Sequence, residues 1–196
     1  MRLIFNSMTK FGGFMTANYA KDFYEIPNAM KNNDALKHKI LVLVQVEPIA
    51  GKVTTGGARL DDFRKILIDF FNQKVNLNDA ITETERKLDK RSSMFYGDNR
   101  VFARGWAERL VRTQVSRFYN QAVLEFIIDS GSDKCFIEHS ATEDVTSKCS
   151  QQLAGTTQSA RVMLERLKSS YGAGNWSKEI KLPEHPHCTH TFNPGL

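Results

Sequence analysis

The sequence has few cysteines and no long apolar run, and both absences limit the class of protein. Three cysteines in 196 residues cannot all pair within one chain, so we expect synthesis in a reducing compartment such as the cytoplasm. The longest apolar stretch, residues 40–44, is of strand length, far below the roughly 20 residues that cross a bilayer. Residues 1–10 lack the apolar segment of a secretory signal. We therefore expect neither a secreted disulfide-rich domain nor a membrane protein.

Common catalytic signatures are also missing. The sequence contains no H-E-x-x-H, no G-x-S-x-G, no Walker-type glycine loop and no deaminase pattern of H-x-E followed by P-C-x-x-C. It contains no internal repeat and no low-complexity segment. We expect no catalytic activity.

What the sequence does contain is enough apolar material for a core and a moderate excess of positive charge. Hydrophobic residues make up 41% of the chain and include 13 phenylalanines, which suffices for folding without disulfides or other staples. The 27 basic and 22 acidic residues give a formal net charge of +5. Such an excess favours contact with nucleic acid or with an acidic protein surface.

The strongest pattern predicts one long amphipathic helix over residues 99–130. Asp98 is a candidate N-cap, and Ser130 with Gly131 forms a candidate stop. The polar inset Arg112, Thr113 and Gln114 lies where the apolar stripe is widest and needs partners if it is buried. The stripe is formed by Phe102, Trp106, Leu110, Val111, Val115, Phe118, Ala122 and Phe126.

The patterns before this helix predict fewer elements. Residues 1–33 are interrupted by glycines and Pro27, which favours an extended arm that docks elsewhere. A β-branched run predicts a strand at about 39–47, and helical spacing predicts a helix at about 58–73 and a more polar one at 77–90.

The patterns after the long helix predict a small β element and an irregular end. Residues 134–138 read as a short strand, and Ser140 or Thr142 is expected to cap a helix toward Leu153, with Glu143 completing a capping box. A further helix is expected at 159–171, and the proline-rich end cannot be a regular helix. The predicted fold is α+β and mainly helical, with one long central helix, a small β element and an irregular Cys/His-containing C-terminal loop.

Four potential metal ligands lie within six residues of that loop, namely His185, His187, Cys188 and His190. Imidazole and thiolate are the usual zinc donors, and Cys149 or His139 is the candidate for a further ligand. The alternative is a polar tail with solvated histidines and a buried free thiol. A catalytic use, with Glu184 or Glu143 as acid or base or with Cys188 as nucleophile, has less support from the pattern.

Several arginines of the long helix segment have only Glu108 as an acidic neighbour. A basic helix flank of this kind could contact phosphates, although a solvated helix face is the commoner explanation. The candidate nucleic-acid contacts are Arg100, Arg104, Arg109 and Arg117.

The second half of the chain carries an ordered series of short motifs. These are Arg112-Thr113-Gln114, Arg117-Phe118-Tyr119-Asn120, Gly131, Cys149 with Leu153-Ala154-Gly155, and the segment from Pro183 to His190. Over residues 103–194 the series resembles the phage Mu F-type head morphogenesis family, the minor head proteins found beside the portal of tailed phages. That family shows R-T-E, R-x-Y-N, a glycine, a strand, C-x-x-C with L-x-G, and a closing P-P-x-H-P-x-C-R-C or C-R-H.

The resemblance implies a function, a location and a ligand set. It implies a virion structural protein inside the capsid, present in multiple copies, with the portal and major capsid proteins as partners and phage DNA nearby. The matching metal donors are Cys149, His185, Cys188 and His190, which implies a structural zinc. The chain departs from the family at Gln114, Thr146 and Thr189, where the family has Glu, the first cysteine of C-x-x-C and Arg; without metal, the same side chains would form a hydrogen-bonded clasp on the polar inset.

Two other functions stay open at this point. One is a small effector enzyme, a nuclease or a transferase, that uses the Cys/His cluster, and the other is a DNA-binding packaging accessory. The expected organisation is a docking region with an arm at residues 1–97 and a head-morphogenesis-like module at residues 98–196, in which the C-terminal loop returns to the polar inset.

Overall fold

A computed structural model describes residues 19–172 and 179–195. It confirms the predicted class, because the described residues form a mainly helical α+β fold with a small sheet. The helices are α1 (Ile26–Lys31), α2 (Asp34–Val46), α3 (Arg59–Phe71), α4 (Leu77–Lys87), α5 (Trp106–Asp129), α6 (Lys148–Gln152) and α7 (Ala160–Leu167). The strands are β1 (Lys134–Ile137), β2 (Thr156–Ser159) and β3 (Phe192–Pro194). Short 3-10 helices lie at Phe23–Glu25, Lys52–Thr54 and Lys90–Ser92, and a π-helical turn at Lys168–Gly172 follows α7.

Helix α5 is the centre of the fold, as the sequence predicts, but it begins seven residues later than expected. It packs against α2, α4, α7 and the sheet, so that every residue from 111 to 124 except Thr113 is buried. Asp98 does not cap it. Gly105 is the N-cap and has a left-handed φ of 73°, a conformation that glycine adopts without strain, and residues 98–105 form turns instead. The C-cap is Ser130, as predicted.

The predicted strand at 39–47 is wrong, because these residues belong to helix α2. The Asn33 side chain accepts a hydrogen bond from the Leu36 amide at 3.0 Å and so caps the helix. Its buried residues, Leu36, Ile40, Leu43 and Val44, follow helical spacing, whereas Val46 is 68% exposed. The apolar run therefore covers the buried face of the helix and extends onto its exposed face.

Residues 19–33 correct the expectation of an extended arm, and residues 1–18 lie outside the described residues. Phe23, Ile26 and Met30 are buried and belong to one hydrophobic core that also contains residues of α5 and β3. Side chains on both sides of the expected boundary at residue 97 thus share a single core. The helices predicted at 58–73 and 77–90 are confirmed as α3 and α4.

The three strands form an antiparallel sheet in the order β2-β1-β3. Its inner residues Cys135, Ile137 and Phe192 are buried beside α5. The strand predicted at 134–138 is confirmed as β1, and α7 with its π-helical turn confirms the helix predicted at 159–171. Within the described ranges, no helix is both long and apolar enough to span a membrane.

The helix expected from Ser140 toward Leu153 is reduced to the short α6, capped by Ser147. The hydroxyls of Ser140 and Thr142 both donate to the Asp22 carboxylate instead of capping a helix. Gly155 then turns the chain into β2 with a φ of 73°, and a Cβ at this position would lie 2.6 Å from His139 Nε2.

Candidate metal centre

The C-terminal loop carries two of the candidate ligands into the interior. The Cys188 amide donates to the His185 carbonyl at 3.0 Å, a tight turn in the proline-flanked segment. Cys188 and His190 are almost completely buried. Helix α6 supplies Cys149, which is also fully buried.

Four ligand groups converge at this place, from Glu143, Cys149, Cys188 and His190. Their ligating atoms all lie within 4.8 Å of one another. The two sulfurs are 3.7 Å apart, Cys188 Sγ lies 3.9 Å from His190 Nδ1, and His190 Nδ1 lies 3.7 Å from Glu143 Oε2. The group could hold a metal ion, since two thiols, an imidazole and a carboxylate are all established donors.

His185 borders this cluster as a fifth donor. Its Nε2 lies 3.5 Å from Cys149 Sγ and 3.3 Å from Glu143 Oε1, and its side chain is partly exposed. The four ligands expected from the sequence therefore come together, but His185 lies at the edge and Glu143 is an additional member. His187 points elsewhere and lies 3.8 Å from Glu108.

Glu143 is a candidate ligand that the sequence does not reveal, because its position favours a capping-box partner or an acid–base group instead. Its side chain is turned inward, and Oε2 accepts hydrogen bonds from the Thr189 amide at 2.7 Å and the Thr189 hydroxyl at 3.2 Å. Thr146, at the position of the missing cysteine, is exposed and donates to Asp144. The only sequence clue was an acidic residue three positions before that threonine.

The hydrogen bonds of the cluster favour one thiolate. The Cys188 thiol donates to Cys149 Sγ, and with His185 and His190 this lowers the pKa of Cys149. The same contact and burial raise the pKa of Cys188, and the Cys149 sulfur raises the pKa of His185. Deprotonated sulfur is the form that metals bind. His190 Nε2, on the far side of the ring, is buried without a hydrogen-bond partner among the described residues.

The polar inset is buried at Arg112 and Gln114, and its partners differ in part from those expected. The Arg112 guanidinium lies 4.5 Å from the Phe23 ring centre and donates to the Tyr24 hydroxyl at 3.1 Å. Thr113 and Gln114, by contrast, border a cavity of about 210 Å³ that Pro186 of the C-terminal loop also lines.

Arg112 is thus connected to the C-terminal loop through the N-terminal segment. The Phe23 amide donates to the Thr189 carbonyl at 2.8 Å, and Asp22 forms an antiparallel bridge with His190. Residues 22–24 therefore lie between α5 and the loop.

The Arg117-Phe118-Tyr119-Asn120 motif holds three separate segments onto α5. Arg117 donates to the Pro48 carbonyl at 2.7 Å, the Tyr119 hydroxyl accepts from the Ala20 amide at 2.6 Å, and Asn120 Oδ1 accepts from the Phe192 amide at 2.8 Å. Burial raises the pKa of Tyr119, which keeps its hydroxyl protonated at neutral pH. Each polar side chain of the motif thus fixes a different part of the chain.

The four arginines that are expected to contact nucleic acid differ in their exposure to solvent. The expectation is wrong for Arg117, whose side chain is completely buried 3.7 Å from Glu47; burial lowers its pKa to about 10, so it stays charged at neutral pH. Arg109 donates to the carbonyls of Arg104 and Ala103 before α5. Only Arg100 and Arg104 are exposed, and both lie on the turns before the helix.

Comparisons with known proteins found no matching family model, no matching curated protein and no matching solved structure.

Proposed function

We propose that this chain is a virion structural protein, a minor head or head morphogenesis component that lies inside the capsid near the portal and the packaged DNA. The observation that carries the proposal is the convergence of Cys149, His185, Cys188 and His190. The resemblance to the Mu F-type family nominated these four residues, and the fold brings them together from α6 and the C-terminal loop. The proposed mechanism is architectural, with α5 and the single core around it as a scaffold in the assembly.

The buried cluster supports a structural zinc within this proposal. Two sulfurs and one imidazole are a common zinc donor set, and a fourth ligand completes a tetrahedron. Glu143 supplies that ligand, since Thr146 stands where the resembling family has a cysteine. Its side chain is only 4% exposed, and Cys149, Cys188 and His190 are buried, which matches the closed character of structural sites.

A bound zinc would join the segments on which the module depends. Glu143 precedes α6 and Cys149 lies within it, whereas Cys188 and His190 belong to the loop that runs into β3. Thr189, between the two loop ligands, is bonded through its backbone to Phe23 and to Glu143. The ion would therefore fix the loop, α6 and the N-terminal segment together.

The proposed partners are the portal and major capsid proteins, with several copies of the chain in one particle. Quantitative mass spectrometry of purified virions from the phage that encodes the chain tests this. We expect a low-copy virion protein that crosslinks to the portal. Absence of the chain from virions would overturn the proposal.

A pair of histidine variants links the site to assembly. His190→Ala removes a buried member of the cluster, whereas His187→Ala removes an exposed histidine from the same loop. We expect His190→Ala to reduce incorporation of the chain into particles and His187→Ala to leave it unchanged. Equal incorporation of both variants would separate the cluster from assembly.

A further inference from the structure

The connection between α4 and α5, residues 88–105 and called here the basic loop, is long but firmly attached. Arg59 of α3 is only 7% exposed and donates to the Leu88 carbonyl at 2.7 Å, the Asp89 carbonyl at 3.0 Å and the Ser92 hydroxyl at 2.9 Å. Phe102, at the other end, is buried and packs edge-on against Trp106. Long ordered loops that are fixed to a scaffold are frequent sites of function.

The middle of the basic loop is fixed as well. Lys52 pairs with Asp98 at 3.4 Å and lies 5.2 Å from the ring centre of Phe95. The Lys90 ammonium donates to the Asn99 side chain at 3.3 Å and so joins the two ends of the loop. The tip is therefore presented on a supported backbone.

The tip exposes large side chains to solvent. Tyr96 is 64% exposed and Met94 is 71% exposed, although Ser93 directly before Met94 is buried. An exposed tyrosine on a fixed loop offers a flat ring on which another planar group can stack.

Basic residues stand on both sides of this tyrosine in the sequence. The basic loop contains four basic and two acidic residues, a net charge of +2, and Arg86 and Lys87 at the end of α4 directly precede it. Of the two acids, Asp98 is paired with Lys52 and with the largely exposed Arg100, each at 3.4 Å, and Asp89 accepts a hydrogen bond from the Arg91 amide. In the part of the chain that the structure describes, Arg91 and Arg104 are exposed and take part in no ion pair.

We propose that the basic loop binds single-stranded nucleic acid, with a base stacked on Tyr96 and the phosphates contacted by Arg91, Arg100 and Arg104. Exposed aromatic rings between cationic side chains are the recurrent means by which proteins hold an unpaired strand without reading its sequence. A duplex offers its phosphates but no free base face. The proposal depends neither on the zinc nor on the place of the chain in a virion.

Fluorescence anisotropy of labelled 20-nucleotide oligo-dT and oligo-U, titrated with the full chain at 50 and 200 mM salt, tests the proposal. We expect binding that weakens as salt rises, because cations on the protein release counterions from the strand. Tyr96→Ala should weaken binding about tenfold, and Arg91→Gln should reduce the dependence of log affinity on log salt by about one phosphate contact. DNA and RNA oligomers share the required chemistry, so binding of either supports the proposal.

Two control variants test whether the effects are specific to the tyrosine and the arginines of the basic loop. Tyr24→Ala removes another exposed tyrosine outside the basic loop, and Arg161→Gln removes an exposed arginine of α7. Both should bind the oligomers like the unaltered chain.

Three results would overturn the proposal. They are no binding at 50 mM salt, a duplex bound as tightly as the single strand with Tyr96→Ala having no effect, and preferential binding to vesicles of anionic lipid.

Discussion

Arg59→Met tests whether one buried arginine organises the connection between α4 and α5. The substitution keeps an unbranched apolar stem of similar reach but removes the guanidinium. Four hydrogen bonds are lost, to the carbonyls of Val53, Leu88 and Asp89 and to the hydroxyl of Ser92. We expect the basic loop to loosen while α5 keeps its protection from hydrogen exchange.

The magnitude follows from the number and burial of these bonds. A bond from a charged donor contributes roughly 1.5–3 kcal/mol, and a neutral one about 1 kcal/mol. Most of the four are only partly buried, so water replaces some of them in the variant. We therefore expect the free energy of unfolding to fall by about 3 kcal/mol, which lowers the Tm by roughly 6–12 °C for a chain of this size.

Thermal unfolding followed by circular dichroism measures the loss of stability, and hydrogen exchange locates it. Arg86→Met is the matched control, because Arg86 is a solvent-exposed arginine of α4 that pairs with the exposed Glu83, and exposed pairs contribute little. The reasoning is refuted if Arg59→Met lowers the Tm no more than Arg86→Met does, or if exchange rises in α5 as much as in the basic loop.

Three further substitutions test other contacts of α5 and of the sheet. Arg112→Leu should speed hydrogen exchange at Phe23 and in the C-terminal loop more than in α5, because the guanidinium supports the segment between them. Asn120→Leu leaves the buried Phe192 amide without its acceptor and should cost about 1–3 kcal/mol in urea unfolding. Asp133→Asn should destabilise the protein at pH 7 and do so less as the pH is lowered toward 2. Hydrogen bonds hold the pKa of the carboxyl below its ordinary value of 3.8, so its stabilisation is present above that value and is lost as the pH falls through the lowered pKa.

Each of these three predictions has an outcome that contradicts it. Unchanged exchange in the C-terminal loop would count against the role of Arg112. A urea midpoint of Asn120→Leu equal to that of the unaltered chain would mean that water satisfies the Phe192 amide. Parallel stability curves from pH 7 to pH 2 would show that Asp133 has the same pKa in the folded and unfolded chain.

Helices that have one apolar and one polar face could be predicted from the sequence. Helix α2 could not, because much of its exposed face is apolar as well. Helices α3 and α5 have polar residues between their apolar ones, so their period is visible. In α2 the exposed positions include Val42 and Val46, which hides the period and makes the segment resemble a buried strand. The cap at Asn33 was the signal that distinguishes the two.

Those members of the candidate site that are close in sequence or belong to a motif could be predicted. Cys188 and His190 stand in one short loop, and Cys149 follows from the resemblance. The inward orientation of Glu143 could not be predicted, because its carboxylate accepts hydrogen bonds from the amide and hydroxyl of Thr189, a residue 46 positions away. Such long-range contacts leave no local pattern.

Burial on all sides of α5 explains the error at Arg117. Its sequence neighbours are typical of an exposed basic helix flank, yet it is enclosed in the core, where it pairs with Glu47 and the Pro48 carbonyl. The sequence shows which residues are polar but not how many elements surround a helix.

The central claim is that the cluster of Glu143, Cys149, Cys188 and His190 holds one structural zinc ion. Native mass spectrometry of the full chain, purified without added metal or chelator, measures this directly. We expect the mass of the chain plus one zinc, with the zinc retained in His187→Ala and lost in His190→Ala and Cys188→Ser. A fully folded chain at its bare mass, with no zinc taken up on titration, would contradict it.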